Sequence, residues 1–295
     1  MKHLLQISEL NRTQIEQLLQ KAQAFKQGIK STNKNSHYLA NLFYENSTRT
    51  RASFAVAATR LKIPVLNLDL ASSSESKGEV IRDTIDNLAA MGIDVFVIRH
   101  LQENIQASLA ASRNDIHIIN AGDGTHAHPS QALLDLMTIL EHKPDLAKIK
   151  IALIGNLCHS RVANSLQCIA KTMGVGELTL IAPQLWRPQT IHFGRYTESL
   201  ADGLADADVI ICLRVQRERL LDSDRLDLTS YRQNYALTRE SVVFAKPDAI
   251  VMHPGPINRG IEIDSDIADG LQSVILQQVK NGVFMRMAII DTLIA

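Results

Sequence analysis

The sequence predicts an α/β protein of two similar-sized domains, each a parallel sheet flanked by helices. Three observations support this prediction. The chain has 295 residues, roughly twice a usual domain length of about 150 residues. Short apolar runs alternate with helical patterns, which is typical of crossover connections in a parallel sheet. The alternation also restarts near residue 150, after a helix that begins at Pro129.

The first half opens with a helix, since Thr13 and Glu16 fit a capping box and apolar residues follow at helical spacing up to Gly28. Strands and helices then alternate, and Pro129 suits the first turn of a helix. The elements predicted after the first helix are strand 38–44, helix 52–61, strand 64–70, helix 79–91, strand 94–99, helix 102–111, strand 117–121 and helix 129–142.

The second half repeats the pattern. Its predicted elements are strand 150–157, a helix ending at Met173, strands 177–182, 209–213 and 249–252, and a long terminal helix from about residue 272. We expect two domains of similar size, hinged near residues 130–145. Parallel sheets carry their functional loops at the carboxyl ends of the strands, so the site is expected there.

Composition excludes several classes of function. Lys and Arg number 31, as do Asp and Glu, and a neutral chain is poorly suited to nucleic acid as its main partner. Residues 1–6 turn polar at once, and no apolar stretch reaches the roughly 18 residues of a membrane helix, so neither a signal peptide nor a membrane partner is expected. The three cysteines lack metal spacing. A cytoplasmic protein is expected.

The first candidate motif is Ser47-Thr48-Arg49-Thr50-Arg51, between a predicted strand and a predicted helix. Backbone N–H groups at a helix start favour an anion, and hydroxyl and guanidinium groups add donors for phosphate oxygens. A helix cap beside two surface arginines explains the same residues equally well. The motif alone therefore leaves both interpretations open.

The second motif is a glycine-rich turn that leads into His128, Pro129, Ser130 and Gln131. His128 and Gln131 can face one ligand across a helix start, one toward a carbonyl and the other toward an amide. His126 with His128 could also form a metal pair. No carboxylate or thiolate stands at convincing ligand spacing, so no metal is expected.

The other motifs are individually weak. The segment 253–256, His-Pro-Gly-Pro, makes a rigid turn that fixes its carbonyls or serves as a plain connector. The serine-rich loop 72–78 has the composition of a surface loop. Arg161 and Arg214 stand near strand ends in the second half, where each alone could be a solvated charge.

Together these motifs resemble the aspartate/ornithine carbamoyltransferase family, and within it the aspartate carbamoyltransferase catalytic chains. Ser-Thr-Arg-Thr-Arg and His128-Pro129-x-Gln131 resemble carbamoyltransferases in general. The aspartate-type pieces are Ser73 with Lys77-Gly78-Glu79, Arg99-His100, Arg161, Leu213 to Gln216, and the segment 253–260. The motifs follow the family's order from residue 43 to 263. Ser130 stands where threonine is more usual and keeps the hydroxyl.

The resemblance implies a carbamoyl phosphate-binding domain over 1–136, with 280–295 packing back on it, and an aspartate-binding domain over 137–279. It also implies that carbamoyl phosphate binds first and that neither a metal nor an organic cofactor is needed. It implies a phosphate site made by Ser47, Thr48, Arg49 and Thr50 with Arg99. It implies that the catalytic residues Thr50, Arg99 and His128 point at the carbamoyl oxygen. The carbamoyl amide would be held by Gln131 and by the carbonyl of Pro254, in a turn fixed by Gly255 and Pro256.

The resemblance further implies that L-aspartate binds second and that the product is N-carbamoyl-L-aspartate, in an early step of de novo pyrimidine biosynthesis. Its carboxylates would be bound by Arg161 and Arg214, supported by Gln216 and Lys77. Ser73 and Lys77 would come from the neighbouring subunit of a homotrimer. Such a trimer could stand within a larger assembly containing regulatory or other pyrimidine-pathway chains.

Three alternatives are set against this interpretation. Ornithine carbamoyltransferases carry His-Cys-Leu-Pro at the position of 253–256 and need an acidic group where this chain has Arg214 and Gln216. A dinucleotide-binding oxidoreductase would need further glycines after Gly155. A non-catalytic carbamoyl phosphate-binding protein would not need every catalytic-type position filled. The aspartate-type enzyme is favoured.

Overall fold

The protein forms two compact α/β units. The computed structural model describes residues 1–33, 35–68, 79–216 and 227–295. The first unit comprises Met1–Leu134 and Lys280–Ala295, and the second comprises Asp135–Val279. Within these described ranges, each unit contains one sheet in which all strand pairs are parallel. The predicted fold class is confirmed.

Among the described residues of the first unit, four strands form a sheet in the order β2-β1-β3-β4. Every residue of β1 is buried, as expected for a parallel strand covered on both faces. In chain order the elements are α1 (Arg12–Lys26), β1 (Leu39–Phe43), α2 (Thr48–Arg60), β2 (Val65–Asn67), α3 (Ile81–Ala90), β3 (Val95–His100), α4 (Ile105–Ser112), β4 (His117–Asp123) and α5 (Pro129–His142), which continues into the second unit.

In the part of the second unit that the structure describes, five strands form a sheet in the order β7-β6-β5-β8-β9. Because β6 and β8 lie on opposite sides of β5, the chain reverses its direction of travel across the sheet there. The elements are β5 (Lys150–Ile154), α6 (Arg161–Met173), β6 (Glu177–Ile181), β7 (Arg195–Thr197), α7 (Leu200–Leu204), β8 (Val209–Cys212), α8 (Leu228–Tyr235), α9 (Arg239–Val242), β9 (Ile250–Met252), α10 (Ser265–Ala268) and α11 (Ile275–Leu293).

The C-terminal half of α11 returns to the first unit, as predicted. Lys21 Nζ of α1 lies 2.9 Å from Asp291 Oδ2, and Lys26 Nζ donates to Asn281 Oδ1 at 2.9 Å. The Arg286 guanidinium stacks 5.0 Å from the ring centroid of Phe54 in α2. Polar and cation–π contacts therefore attach this helix to both α1 and α2.

Two local predictions were wrong. The capping box of α1 is formed by Asn11 and Gln14, whose side chains each accept the other's backbone N–H at 2.9 and 3.0 Å. Thr13 and Glu16 fit the same pattern, but Thr13 already lies in the first turn. Helix α2 begins at Thr48 rather than at 52, because the hydroxyl and arginine residues form its first turn.

Several short elements were not predicted. Strand β7 pairs with β6 through only three residues, from Arg195 to Thr197. Helices α7 to α10 have eight residues or fewer.

None of the described helices is both long and apolar enough to cross a bilayer. All three cysteines are free thiols.

Candidate active site

The first motif occupies the turn from β1 into α2. Ser47 is the N-cap residue of α2, a helix whose residues are all described. The Ser47 side chain makes no capping hydrogen bond to it. The backbone N–H groups of that first turn are therefore available to an anion. Thr48 and Arg49 are exposed, Ser47 is half-buried, and Thr50 is buried. The arrangement places a helix N-terminus, hydroxyl groups and a guanidinium at one edge of the first sheet.

Arg99 lies near the end of β3, in register with Phe43 of the neighbouring β1. Its Nε lies 3.2 Å from Glu45 Oε2, and the two side chains are 14% and 10% exposed. Its Nη1 donates to the Ala121 carbonyl at 3.4 Å. Glu45 was not among the predicted site residues, although an acidic residue soon after a strand that leads into an anion-type motif is a usable signal. The ion pair fixes the Arg99 guanidinium at the sheet edge.

The glycine-rich turn after β4 is organised by the carboxylate of Asp123. Its Oδ1 accepts from Asn120 Nδ2 at 3.0 Å and from the Ala127 N–H at 2.9 Å. Its Oδ2 accepts from the Asn104 N–H at 3.0 Å and lies 2.9 Å from His126 Nδ1. One buried carboxylate thus fixes the whole turn that precedes α5.

Two side chains of this turn, Asp123 and His126, favour their charged forms. Burial alone would raise the pKa of Asp123, but hydrogen bonds from His126 and Asn120 outweigh it and hold that pKa below its ordinary value. The hydrogen bond to Asp123 raises the pKa of His126. His126 therefore serves the turn, as a donor to the Asp123 carboxylate.

His128 and Gln131 lie at the start of α5 and are both buried. The Gln131 N–H donates to the His128 carbonyl at 3.1 Å, so the two residues share the first helical turn. They follow β4, while Arg99 belongs to β3 and the Ser47 turn follows β1. These three strands are consecutive in the sheet, so their ends span about 10 Å. The first unit brings its predicted residues to one edge.

In the second unit, Arg161 is the first residue of α6 and is buried. The Ser160 side chain caps this helix by accepting from the Ala163 N–H at 3.2 Å. Asn156 Oδ1 lies 2.9 Å from His159 Nδ1 and orders the loop between β5 and the helix. The Arg161 side chain is therefore positioned at a capped helix N-terminus after β5.

Arg214 and Gln216 follow β8, the neighbour of β5, and both are half-buried. The Leu213 N–H donates to the Ile154 carbonyl at 2.7 Å, which extends the strand pairing to the residue before Arg214. Gly155 has φ +134°, and a Cβ there would lie 2.8 Å from the Leu213 carbonyl oxygen. Only glycine permits this close approach of the two loops.

The turn at 253–256 follows β9, the neighbour of β8. Pro254 and Gly255 are half-buried and Pro256 is exposed. The Gly255 N–H donates to Nδ1 of the buried His253 at 2.8 Å. The second unit thus aligns its predicted residues along the ends of β5, β8 and β9.

Two predicted residues, Ser73 and Lys77, lie outside the described residues. No group of three or more metal-type ligands occurs within the ranges that the structure describes. Chemically, the first unit presents donors suited to an anion and a polarised carbonyl, while the second presents guanidinium groups suited to carboxylates.

Models of one protein family match both halves of this parallel α/β chain. The carbamoyl phosphate-binding domain model of the aspartate/ornithine carbamoyltransferases matches residues 2–141. The aspartate/ornithine-binding domain model matches residues 147–293. The chain belongs to the aspartate/ornithine carbamoyltransferase family.

Two bacterial relatives of the chain belong to the aspartate branch of the family. The chain is 62% identical to the aspartate carbamoyltransferase catalytic subunit of Legionella pneumophila (strain Corby), over 100% of this chain and 99% of that protein. It is 48% identical to the same subunit from Coxiella burnetii (strain Dugway 5J108-111), over 98% of this chain and 95% of that protein.

Solved structures agree on the fold. Aspartate transcarbamoylase from Trypanosoma cruzi, in complex with carbamoyl aspartate and phosphate, superposes with a TM-score of 0.90 at 29% identity, covering 100% of this chain and 96% of that one. Ornithine carbamoyltransferase from Thermus thermophilus has a TM-score of 0.88 at 24% identity, covering 100% and 99%. The second likeness concerns the fold alone, because both branches of the family share it.

Proposed function

We propose that this protein is an aspartate carbamoyltransferase, which transfers the carbamoyl group of carbamoyl phosphate to the amine of L-aspartate. The observation that carries the choice of aspartate is the placement of Arg161 and Arg214 after the neighbouring strands β5 and β8. Two planar guanidinium groups suit a dicarboxylate and repel the side-chain ammonium of ornithine. The names of the bacterial relatives support the same choice.

The first unit is the carbamoyl phosphate-binding domain in this proposal. The α2 N-terminus, with Ser47, Thr48, Arg49 and Thr50, binds the phosphate together with Arg99. Thr50, Arg99 and His128 donate to the carbamoyl oxygen. Such donors stabilise the negative charge that develops on that oxygen, each contributing about 3–4 kcal/mol in comparable sites.

The carbamoyl amide is held by two acceptors, the Gln131 side-chain oxygen and the Pro254 carbonyl. By resemblance to the family, the Pro254 carbonyl is presented by the turn that also contains Gly255 and Pro256. With both the oxygen and the amide bound, the carbamoyl plane has one orientation. Orientation of this kind lowers the barrier by pre-arranging the reacting atoms.

The second unit is the aspartate-binding domain, where Arg161 and Arg214 bind the carboxylates with support from Gln216. The uncharged amine of aspartate attacks the carbamoyl carbon and forms a C–N bond. The tetrahedral intermediate then releases phosphate as the C–O bond breaks, and the departing phosphate takes up the proton that the amine loses. The products are N-carbamoyl-L-aspartate and phosphate, and the solved T. cruzi enzyme was crystallised in complex with the same pair.

The proposal extends to assembly and setting. By resemblance to the family, Ser73 and Lys77 reach the site of the neighbouring subunit in a homotrimer, and regulatory or other pyrimidine-pathway chains can attach. Three free cysteines suit a reducing compartment, which supports a cytoplasmic location. The product's use in pyrimidine biosynthesis follows from the same family resemblance.

The decisive test is a carbamoyl-transfer assay that offers L-aspartate and L-ornithine side by side to the purified protein. We expect N-carbamoyl-L-aspartate to accumulate and citrulline to stay at background. Preferential citrulline formation would reassign the protein to the ornithine branch. Binding of carbamoyl phosphate without transfer to either amine would favour the non-catalytic alternative.

A further inference from the structure

A buried histidine and a buried glutamate lie directly behind the turn that carries Pro254. His253 precedes Pro254, and its side chain is 0% exposed, while the side chain of Glu262 is 1% exposed. Burying a carboxylate is costly unless hydrogen bonds compensate for the lost water. No lysine or arginine in the described ranges pairs with Glu262. Among the described residues, the compensating hydrogen bonds all reach one of its oxygens, Oε1.

The contacts of His253 determine which ring nitrogen carries the proton. The Gly255 N–H, which can only donate, points at Nδ1 from 2.8 Å. Nδ1 must therefore be the acceptor, and in the neutral ring the proton is on Nε2. Nε2 lies 3.2 Å from Glu262 Oε1 and donates to it. The Gly255 N–H and the Glu262 carboxylate thus favour the same tautomer of His253, and loss of the carboxylate removes one of its two supports.

The same carboxylate oxygen holds the far end of the turn. Glu262 Oε1 also accepts from the Asn258 N–H at 2.5 Å. The Asn258 side chain donates through Nδ2 to the Val215 carbonyl at 3.2 Å, and Val215 stands between Arg214 and Gln216. One oxygen is therefore linked both to the Pro254 turn and to the segment proposed to bind aspartate.

We propose that Glu262 is a positioning residue of this active site, acting through His253 on the Pro254 carbonyl and through Asn258 on the Arg214 segment. The inference rests on the proposed function, because it assigns the two ends of the network to the carbamoyl amide and to aspartate. Glu262 itself touches neither substrate in this assignment. Its charge and geometry matter because small displacements of substrate-positioning groups reduce turnover steeply.

The main test compares Glu262→Gln and Glu262→Ala with Glu240→Gln, the same chemical change at an exposed site of the same unit. Glutamine keeps an oxygen for both bonds but loses the charge, and alanine loses both. We expect kcat to fall about tenfold and about a hundredfold, respectively. Inhibition by inorganic phosphate, which depends on first-unit donors, should change less than about twofold. Folding is checked by thermal unfolding.

Asn258→Ala tests the contact with the Arg214 segment separately from the contact with the Pro254 turn. It remains informative if the Glu262 variants do not fold. It removes the donor to Val215 but keeps the backbone N–H that binds Glu262. We expect the KM for aspartate to rise about tenfold, as for one lost hydrogen bond near 1.4 kcal/mol, with the KM for carbamoyl phosphate unchanged. Equal changes in both KM values would overturn the inference that Asn258 positions the segment that binds aspartate.

A spectroscopic readout decides the inference independently of activity. The ring ¹⁵N spectrum of His253 should show a single Nε2–H tautomer in the native protein and exchange between tautomers in Glu262→Ala. Retention of that single tautomer, or folded Glu262 variants with the kcat of Glu240→Gln, overturns the inference. Native protein that does not carbamoylate aspartate would instead overturn the proposed function, while the His253 spectrum would still test the positioning role.

Discussion

At the scale of single residues, Arg214 provides the sharpest test of substrate choice. We expect Arg214→Ala to raise the KM for aspartate by about thirtyfold or more, since losing a charge-assisted bond to a buried partner costs on the order of 2–5 kcal/mol. Binding of carbamoyl phosphate should stay nearly intact. Steady-state kinetics with each substrate varied in turn measures both effects.

Arg239→Ala is the matched control for Arg214, because Arg239 is an exposed arginine of the same unit that pairs with Asp266 on the surface. It should leave both KM values unchanged. Comparable losses for aspartate and carbamoyl phosphate in Arg214→Ala would contradict the assignment of Arg214 to aspartate alone.

The Asp123–His126 pair predicts a pH dependence of stability. The lowered pKa of Asp123 adds stability above the unfolded value near 4, and this is lost as pH falls through the folded pKa. The raised pKa of His126 adds stability below the unfolded value near 6.5, and this is lost as pH rises through the folded pKa. We therefore expect His126→Gln to destabilise the protein more at about pH 5.5 than at about pH 9.

Urea unfolding of native protein and variant at the two pH values measures that difference. His142→Gln is the control, since His142 is exposed and lies 3.1 Å from the uncharged amide oxygen of Gln277. A destabilisation by His126→Gln that is equal at both pH values would show that the Asp123 contact is not an ion pair in solution.

Sequence reasoning proposed site residues whose chemistry depends on their neighbours in the chain, and it missed residues whose contacts depend on a distant partner. Ser47 and Arg49 lie together at the start of a helix, so their suitability for binding an anion can be predicted from neighbouring residues in the sequence. Glu45 acquires its role only when β1 and β3 pair and bring Arg99 within 3.2 Å. Glu262 becomes meaningful only beside the His253 ring. Pairing across the fold has no local signature.

At the scale of elements, the loop after β5 depends on a glycine. Gly155 has φ +134°, and its Cβ would lie 2.9 Å from Leu213 Cβ as well as 2.8 Å from the carbonyl oxygen. We expect Gly155→Ala to destabilise the protein by about 1–3 kcal/mol. It should also raise the KM for aspartate, because the clash displaces the residue before Arg214. Thermal unfolding and aspartate kinetics measure the two effects.

Gly174→Ala is the control for Gly155→Ala, because it introduces backbone strain without a steric clash. Gly174 ends α6 with φ +72°, and a Cβ added there would meet no atom within 4 Å. This variant should lose stability through backbone strain alone and keep the native KM for aspartate. If Gly155→Ala also keeps the native KM, the contact with Leu213 does not position Arg214.

The long elements were predictable because their patterns are strong. Helix α5 spans Pro129–His142, as predicted, since Pro129 marks its first turn. Strand β5 stops at Ile154 rather than at 157, because Gly155 leaves the strand conformation. Strand β7 has three residues at a sheet edge and no apolar run, so periodicity could not reveal it.

At the scale of the whole molecule, the fold class was predictable because the strand–helix alternation runs through both halves. Each unit collects its candidate residues from separate strand ends, β1, β3 and β4 in one and β5, β8 and β9 in the other. The order of strands within each sheet depends on how each crossover joins one strand to the next, and single-residue patterns carry no such information. Composition likewise leaves the number of subunits open.

The assembly prediction tests whether each site is shared between subunits. By family resemblance, a trimer would take His128 from one chain and Lys77 from the next, which is a cyclic head-to-tail arrangement. Lys77→Ala and His128→Ala should each be nearly inactive. When the two are dissociated, mixed and reassociated, about one site in three of a mixed trimer carries both native residues. Activity should reappear on mixing, with native-like affinity for aspartate, and mass measurement should confirm hybrid trimers. Hybrids as inactive as either parent would mean that each site lies within one chain.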